Sequence, residues 1–488
     1  MTPLVSSLPL SETKRRQSAL SKVFWAATCC IVVIVTLTAH PQYAESALGA
    51  FLVISASLFP FALWVAGKVK GLPLFPVYAV THLWTFGLPL LYEHPVVSGF
   101  PPNDQLIGAL TVTGFLLVGT FVWSQIARKA PRQTTRFLVL NPLKADVFFL
   151  VVLCGGILLT ISTTANWFQP PEGISSLVRA GTLALEALAC FALSYRLGNG
   201  ALAPEFRFLF KALFTLLLVV TLPGLLLINT MSLIGVAGFG YTIGARRFPW
   251  RMGIVSACVF AFLHGGKSDM REMYWLSEGE PAVQPLQYPV FITEWISTSS
   301  RNLFSDAPDR EESGQSLLER ASLMHLLLYV QSMTPGAVPY LDGATYTIIP
   351  QLLVPRFLNP EKIRSHEGTY ILAMHYGIQS TTEETQRTTI GFGLLNEAYA
   401  NFGFLGIGML SLFMGAYYGA IGRWAGSAPV LSMRSLFAIL VASYSFQTEF
   451  AAGVYVAALF QSVVAFVFVT ALFVRPKTLE EAGGPMVE

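Results

Sequence analysis

The residues of this chain that could do chemistry gather in one polar stretch, from about Lys267 to Asn401, within an otherwise apolar sequence. The stretch holds three clusters of Arg, Lys, His and Glu. Because lipid tolerates few ionisable groups, a membrane protein usually keeps its polar chemistry where the apolar pattern breaks. Clustered cations suit the binding of phosphate groups, and a neighbouring carboxylate or imidazole suits proton transfer. We therefore expect the functional site in this stretch.

The first cluster reads HGGKSDMRE and runs from His264 to Glu272. Its Gly-Lys-Ser resembles the end of a phosphate-binding P-loop. The first glycine of that motif would fall on Ala261, inside an apolar run, and no strand precedes it, which argues against nucleotide binding. Two interpretations stay open. Lys267 and Arg271 either anchor the chain among lipid headgroups or bind a phosphate group at the membrane surface.

The second cluster reads VPRFLNPEKIRSHEG and occupies residues 354–368. It carries three cations, Arg356, Lys362 and Arg364, and a histidine, His366, beside prolines that restrict the backbone. The Arg356 guanidinium can bind a phosphate through two parallel hydrogen bonds, whereas Lys362 acts as a point charge. The pattern predicts a shaped site for an anionic ligand, with a solvated loop surface as the alternative.

The third cluster reads GFGLLNEAYANFG and occupies residues 391–403, directly before an apolar run. Glu397 and Asn401 are four residues apart, so they share one face of a helix. A carboxylate near the membrane boundary, among apolar neighbours, suits the work of a general base. A helix-capping or purely structural role for Glu397 is the alternative.

Two ionisable residues, Arg179 and Glu186, lie inside the sixth apolar run, on similar faces of the predicted helix. Charge inside a membrane is costly, so these residues either contact a ligand or pathway or pair with each other. The seven histidines show no HExxH or other ligand spacing, and we expect no metal site. The five cysteines all fall in apolar runs, which predicts free thiols rather than disulfides.

The elements that position these residues are predicted to be membrane-spanning helices. Hydrophobic residues make up 53% of the chain and charged residues 12%, against roughly 25% charged residues in soluble domains. The net charge of +3 is too small to indicate a nucleic-acid partner. Runs of about 20 apolar residues can cross a bilayer. We find about twelve, near 23–39, 47–66, 72–92, 106–123, 147–165, 177–195, 207–228, 230–245, 252–265, 403–421, 431–449 and 453–474.

The distribution of Lys and Arg sets the predicted orientation, because cytoplasmic connections are enriched in these residues. Connections 40–46, 93–105 and 166–176 contain none, whereas the connections between them are basic. The predicted class is an all-α polytopic membrane protein with one large extracytoplasmic loop of short or re-entrant helices. Its parts are a cytoplasmic tail at 1–22, nine spans within 23–265, the loop at 266–402, three spans within 403–474 and a cytoplasmic tail at 475–488. The basic N-terminus followed by an apolar run is interpreted as an uncleaved first span.

The segments PRFLNPEK and GFGLLNEAYANFGFLG resemble the Wzy-type oligosaccharide repeat-unit polymerases, the O-antigen polymerase group. In that family an outward loop carries a Pro-Arg motif with a later Pro and Lys. A Gly followed by Glu-x-Tyr-x-Asn-Phe-Gly then leads into the next span. The Gly-Lys-Ser at 266–268 is similar to a basic motif of the family, although Lys267 stands where Arg is commoner. The resemblance covers about 265–420.

The resemblance implies glycosyl transfer on the outer face of the bacterial cytoplasmic (inner) membrane. A glycan on polyprenyl diphosphate would be the donor, and a lipid-linked repeat unit would be the acceptor. A chain-length regulator protein is a further expected partner, and neither a cofactor nor a metal is expected. The implied roles are diphosphate binding by Arg356 with Arg364, Lys362, Lys267 and Arg271, proton transfer by Glu397 or else His366, sugar binding by Tyr399 and Asn401, and binding of the second carrier by Arg179.

Three alternatives stay open. An O-antigen-ligase-like enzyme would move a finished glycan onto another acceptor with nearly the same site. A transporter or flippase of lipid-linked glycans would instead distribute charge through many spans around a central cavity. A non-catalytic assembly partner would tolerate alanine at every residue named above.

The orientation can be tested by labelling a cysteine introduced near position 310, for example Arg310→Cys. A membrane-impermeant thiol reagent should modify it from outside the cytoplasmic membrane, because the polar stretch is predicted to face outward. Labelling only from the cytosolic face would contradict the topology and with it the polymerase interpretation.

Overall fold

The computed structural model describes residues 10–129, 134, 136–225, 227–247, 249–276, 283–304, 319, 321–356, 358–359, 361–387, 389–471 and 473–478. The chain is mostly α-helical, as its composition predicts, with one short two-stranded sheet. The helices are α1 Leu10–Thr38, α2 Ala44–Val65, α3 Leu74–His82, α4 Pro102–Ala127, α5 Pro142–Thr164, α6 Glu172–Gly198, α7 Pro204–Thr221, α8 Leu227–Ala245, α9 Trp250–Gly265, α10 Lys267–Arg271, α11 Tyr288–Phe304, α12 Met324–Met333, α13 Ala344–Thr347, α14 Ile349–Leu353, α15 Glu367–His375, α16 Thr382–Arg387, α17 Gly393–Gly426, α18 Met433–Tyr444 and α19 Ala452–Thr470. The strands are β1 Arg136–Leu140 and β2 Val474–Thr478.

Seven of the described helices are long and apolar enough to cross a membrane. A helix satisfies its own backbone hydrogen bonds, which hydrocarbon requires of any spanning segment. The seven segments are Ser21–Thr38, Ala44–Val65, Pro102–Ala127, Leu143–Thr164, Leu177–Gly198, Pro204–Gly224 and Gly393–Gly426. Shorter apolar helices lie at Leu74–Leu90, Trp250–Gly265, Met433–Tyr444 and Ala452–Phe468. The fold is therefore that of a helical membrane protein, while the count of twelve spans and the outward loop stay predictions.

Small residues let the long helices approach closely where α4 crosses α17. A Cβ added at Gly415 would lie 2.5 Å from the carbonyl oxygen of Gly119. In the same crossing the Ser411 hydroxyl donates to the carbonyl oxygen of Phe115 at 2.5 Å. Apolar surface gains little from burial within lipid, so close backbone packing and internal hydrogen bonds hold such helices together. The packed pair of α4 and α17 supports the polar stretch.

Several of the basic connections lie close together in the structure. Strand β1, which follows α4, pairs antiparallel with β2 near the C-terminus. The Arg434 guanidinium, at the start of α18, lies over the rings of Phe137 and Trp424. Lys70, between α2 and α3, donates its backbone N–H to the Ala127 carbonyl at 3.3 Å. These contacts place the connections rich in Lys and Arg at one end.

The connections without Lys or Arg meet the long polar stretch at another part of the molecule. His94 Nε2 lies 3.3 Å from the Glu319 carbonyl oxygen, and the Trp167 indole donates to Gln284 Oε1 at 2.8 Å. For the connections that they join, these contacts agree with the grouping that the Lys and Arg bias predicts. The compartment that each group faces stays a prediction.

Helix α17 changes direction at Phe402 and Gly403, the predicted border between the polar stretch and the tenth span. Gly403 has φ 59° and ψ −143°, a conformation close to a region that essentially only glycine occupies. A Cβ at this position would also lie 2.7 Å from the Tyr340 hydroxyl oxygen. Glycine at position 403 thus allows one helix to continue from the polar stretch into the predicted span.

We expect Gly403→Ala to destabilise the protein by about 1–3 kcal/mol, the usual cost of one strained backbone position. The melting temperature of the purified protein in detergent measures this effect. Gly408→Ala is the matched control, because it lies on the same helix and a Cβ there meets no atom within 4 Å. Equal melting temperatures for the two variants would show that the break does not require glycine.

Candidate functional site

The three polar clusters converge on the connection between α18 and α19. Helix α18 ends at Tyr444, whereas the apolar run predicted a span through residue 449. Helix α19 begins at Ala452, which leaves residues 445–451 as a connection beside the start of α17. The second and third clusters contact this connection or the first turn of α19 through different residues, and the first cluster acts on it through the charges of Lys267 and Arg271.

Glu397 is fully buried and binds the first turn of α19. Its Oε2 accepts a hydrogen bond from the backbone N–H of Ala452 at 2.5 Å, and its side chain has no exposed surface. A carboxylate is favoured at a helix N-terminus, where backbone N–H groups point outward with a partial positive charge. The geometry thus favours the capping role over that of an accessible base.

Asn401 is also fully buried, and its side-chain amide is fully engaged. Its Oδ1 accepts from the Gly343 N–H at 3.0 Å. Its Nδ2 donates to Thr345 Oγ1 and to the Glu397 carbonyl, both at 2.8 Å. Because a buried amide left unpaired is costly, this network fixes the start of α13 to α17. Asn401 acts as a structural link in this arrangement rather than as an open sugar ligand.

Tyr399, the other predicted sugar ligand, lies in an aromatic cluster. It is 5% exposed, and its ring packs edge-on to Tyr340 at 6.4 Å and Phe404 at 5.2 Å between ring centroids. The helix face that Glu397 and Asn401 were predicted to share is present, and it is buried inside the protein.

The second cluster forms a loop in which two of its cations bind backbone carbonyls. The half-buried Arg356 directs Nη2 to the Lys362 carbonyl at 3.4 Å. Lys362 Nζ donates to the Leu352 carbonyl at 2.5 Å. Partial burial, followed by the positive charge of Arg356, lowers the pKa of Lys362. Arg364 is exposed on the same loop.

This loop rests on the first turn of α19. A Cβ added at Gly453 would lie 3.1 Å from Leu352 Cδ1 and 3.6 Å from the Ser365 carbonyl oxygen. Gly453 follows Ala452, which binds Glu397. The second and third clusters, separate in sequence, therefore meet at this turn.

His366 begins α15 and lies near Arg179 of α6. Burial, followed by the positive charge of Arg179, lowers the pKa of His366. Its imidazole is consequently neutral at neutral pH and can accept a proton. Its Nδ1 has no hydrogen-bond partner among the residues that the structure describes. The spacing of residues in the sequence does not predict that Arg179 and His366, which are far apart in the chain, lie near each other.

Arg179 and Glu186 do not form an ion pair within the described ranges. Arg179 is exposed, whereas Glu186 is 2% exposed. The Glu186 carboxylate lies against Gly156 of α5, in space that a Cβ there would fill. The ion pair that α6 does make joins Arg196 to Asp146 at 2.5 Å. Arg179 therefore does not pair with Glu186, and its charge acts on His366 instead.

The positive charges of Lys267 and Arg271, in the first cluster, act on Glu449, a residue that none of the sequence motifs includes. Glu449 is exposed, and its carbonyl accepts from the Gly393 N–H at 3.2 Å. Desolvation raises the pKa of Glu449, and the positive charges of Lys267 and Arg271 oppose that rise. The sequence signal for Glu449 is weak, because it is the last residue of the predicted span 431–449.

The arrangement combines cations from two segments with an accessible carboxyl and a neutral imidazole. Arg271 is held in place by a hydrogen bond from Nη2 to the Leu225 carbonyl at 3.1 Å. Such a set can bind an anionic group and move a proton beside it. No group of three or more His, Cys, Asp or Glu with metal-binding geometry occurs in the described part of the chain.

We expect Arg179→Gln to raise the pKa of His366, because a nearby positive charge disfavours the protonated imidazole. Nuclear magnetic resonance of protein labelled with ¹³C-histidine can follow the titration, with His366→Gln used to assign the signal. Arg301→Gln, an exposed arginine on α11, is the matched control and should leave the titration unchanged. An unchanged pKa in Arg179→Gln would contradict the contact.

Comparisons of this chain with protein-family models, with curated proteins and with solved structures give no match.

Proposed function

We propose that the protein polymerises lipid-linked oligosaccharide repeat units in the synthesis of a bacterial surface polysaccharide or exopolysaccharide. It would act in the cytoplasmic membrane, with both termini in the cytoplasm and the site outside. The convergence of three separate polar clusters around the start of α19 carries the proposal. Lys267 and Arg271 approach from one segment, and the loop of Arg356 and Lys362 approaches from another.

The reaction joins a sugar hydroxyl of the incoming repeat unit to the anomeric carbon of the growing glycan. A carbon–oxygen bond forms there, and the bond from the same carbon to the polyprenyl diphosphate breaks. The electron pair leaves with the diphosphate, so fixed cations lower the barrier by stabilising the developing charge. Arg356 is the principal candidate for this task, because its guanidinium can bind two phosphate oxygens at once. Arg364, Lys362, Lys267 and Arg271 would add positive charge around it.

A second lipid carrier must be held while the first reacts. Arg179 is exposed at the outer part of α6 and lies near His366. It is therefore suited to the diphosphate of the acceptor carrier, beside the neutral His366 of the loop. A chain-length regulator protein is the further partner in this proposal.

The membrane part of the molecule offers a place for a carrier tail. An apolar groove of about 360 Å³ lies between α4 and α17. Its lining begins at Phe404, directly after the break in α17, and includes Leu110, Val118, Ile407 and Gly408. Because the lining is apolar, filling the groove with water is unfavourable, whereas a hydrocarbon chain can fill it favourably. The groove supports a lipid-linked substrate, because its lining is apolar and begins at Phe404, whose ring packs against that of Tyr399.

We expect Arg356→Ala to abolish chain extension while the protein still inserts into the membrane. Loss of one group that stabilises transition-state charge typically lowers the rate by on the order of 10²-fold. The distribution of glycan lengths on a gel measures extension, and immunoblotting of membranes measures insertion.

Arg247→Ala is the matched control, since Arg247 is exposed in the connection between α8 and α9, which is predicted to be cytoplasmic. It should give polymer of ordinary length. Polymer of ordinary length from Arg356→Ala would refute the assignment. A change confined to glycan attachment on another acceptor would indicate the ligase-like alternative.

A further inference from the structure

We infer that the Glu449 carboxylate removes the proton from the acceptor hydroxyl, and that Glu397 positions the segment carrying it. This inference rests on the proposed polymerase function and names its base. The sequence alone favoured Glu397, with His366 as the second choice. The geometry points to Glu449, because it is the exposed carboxyl on the connection where the three clusters meet.

Accessibility separates the two carboxyl groups. A general base must reach the hydroxyl oxygen within hydrogen-bond distance or through one water molecule. Glu397 has no exposed surface, and one of its oxygens already binds the backbone of Ala452. Glu449 is exposed, so a substrate can approach its carboxylate without unfolding α19.

The backbone around Glu449 is closely supported. A Cβ added at Gly391 would lie 2.5 Å from the Cβ of Glu449 and 3.2 Å from its carbonyl oxygen. Gly393 donates its N–H to that carbonyl. Two glycines of the third cluster thus press against this residue from the start of α17, which limits where the side chain can go.

The charges around Glu449 suit a base that works beside a diphosphate. The cations that act on it are Lys267 and Arg271 of α10, and they oppose the rise in its pKa that desolvation causes. A bound diphosphate would neutralise these cations. Their opposition would then weaken, and the pKa of Glu449 would rise further. The carboxylate would therefore become a stronger base when the substrate is in place.

The proton step balances without any further reactant. The acceptor hydroxyl oxygen bonds to the anomeric carbon, and its proton passes to a Glu449 carboxylate oxygen. The polyprenyl diphosphate departs with the electron pair of the broken bond. The protonated carboxyl then releases its proton to the surrounding water, because Glu449 is exposed.

Glu397 acts on this step through the backbone. It binds the N–H of Ala452, three residues after Glu449 in the chain. The bond fixes where the connection ends and α19 begins. Glu397 is thus a positioning residue rather than a catalytic residue.

The test measures chain extension by the purified full-length protein in liposomes with lipid-linked repeat units, over a range of pH. Wild-type activity should fall as the pH drops through the raised pKa of Glu449, since only the ionised carboxylate accepts a proton. Glu449→Gln should lower kcat by about 10²–10⁴-fold, the usual contribution of general-base catalysis. It should leave KM nearly unchanged and remove the acid limb of the profile. Glu449→Asp should recover part of kcat.

Two further variants separate the roles. Glu397→Gln should lower kcat but keep the acid limb, because Glu449 still titrates. Glu383→Gln, an exposed carboxyl on α16 of the same polar stretch, should behave as wild type.

An acid limb that persists in Glu449→Gln, or a wild-type kcat in that variant, would overturn the inference while the proposed function stands. Loss of the limb in His366→Gln instead would transfer the role to that imidazole. Failure of the wild-type protein to extend any lipid-linked repeat unit would overturn both proposals together.

Discussion

The bond between the Glu397 carboxylate and the Ala452 N–H is the contact on which the arrangement of the site depends. It joins α17 to the start of α19, and the Glu397 side chain has no exposed surface. A buried carboxylate without partners would be costly, and the outward-pointing N–H groups of a helix N-terminus offset part of that cost. The connection before α19 is therefore fixed at both sides, by Glu397 at its end and by Gly393 at Glu449. Three polar clusters can then meet around one short segment.

A second constraint lies at the break in α17. Asn401 fixes the start of α13 to the helix just before the break, and Gly403 redirects the chain just after it. Glu397 and Asn401, before the break, bind the start of α19 and the start of α13, whereas the residues after it pack against α4 and border the apolar groove. One helix therefore fixes polar segments on one side of the break and borders an apolar groove on the other.

The buried polar groups of the third cluster show that residue types typical of a catalytic motif can also have a structural role. Glu397, Tyr399 and Asn401 have the composition of a catalytic motif, yet their side chains are engaged inside the protein. Among the described residues of the site, Arg364 and Glu449 are exposed, and the other cations of the first two clusters are half-buried. A motif of polar residues beside a span can thus define the shape of a site, while the residues that contact a ligand come from other segments.

The sequence by itself determined the helical membrane class, since 53% hydrophobic residues in long runs leave few other solutions. The Lys and Arg bias also groups β1 with β2, and the connection at Trp167 with the polar stretch at Gln284, as the contacts do. The shared helix face of Glu397 and Asn401 follows from helical periodicity alone. Only the tertiary structure decided that Glu397 binds Ala452, that Arg179 lies near His366, and that Glu449 stands beside Lys267. These contacts join residues far apart in the chain, and the packing of whole helices, which local periodicity does not encode, brings them together.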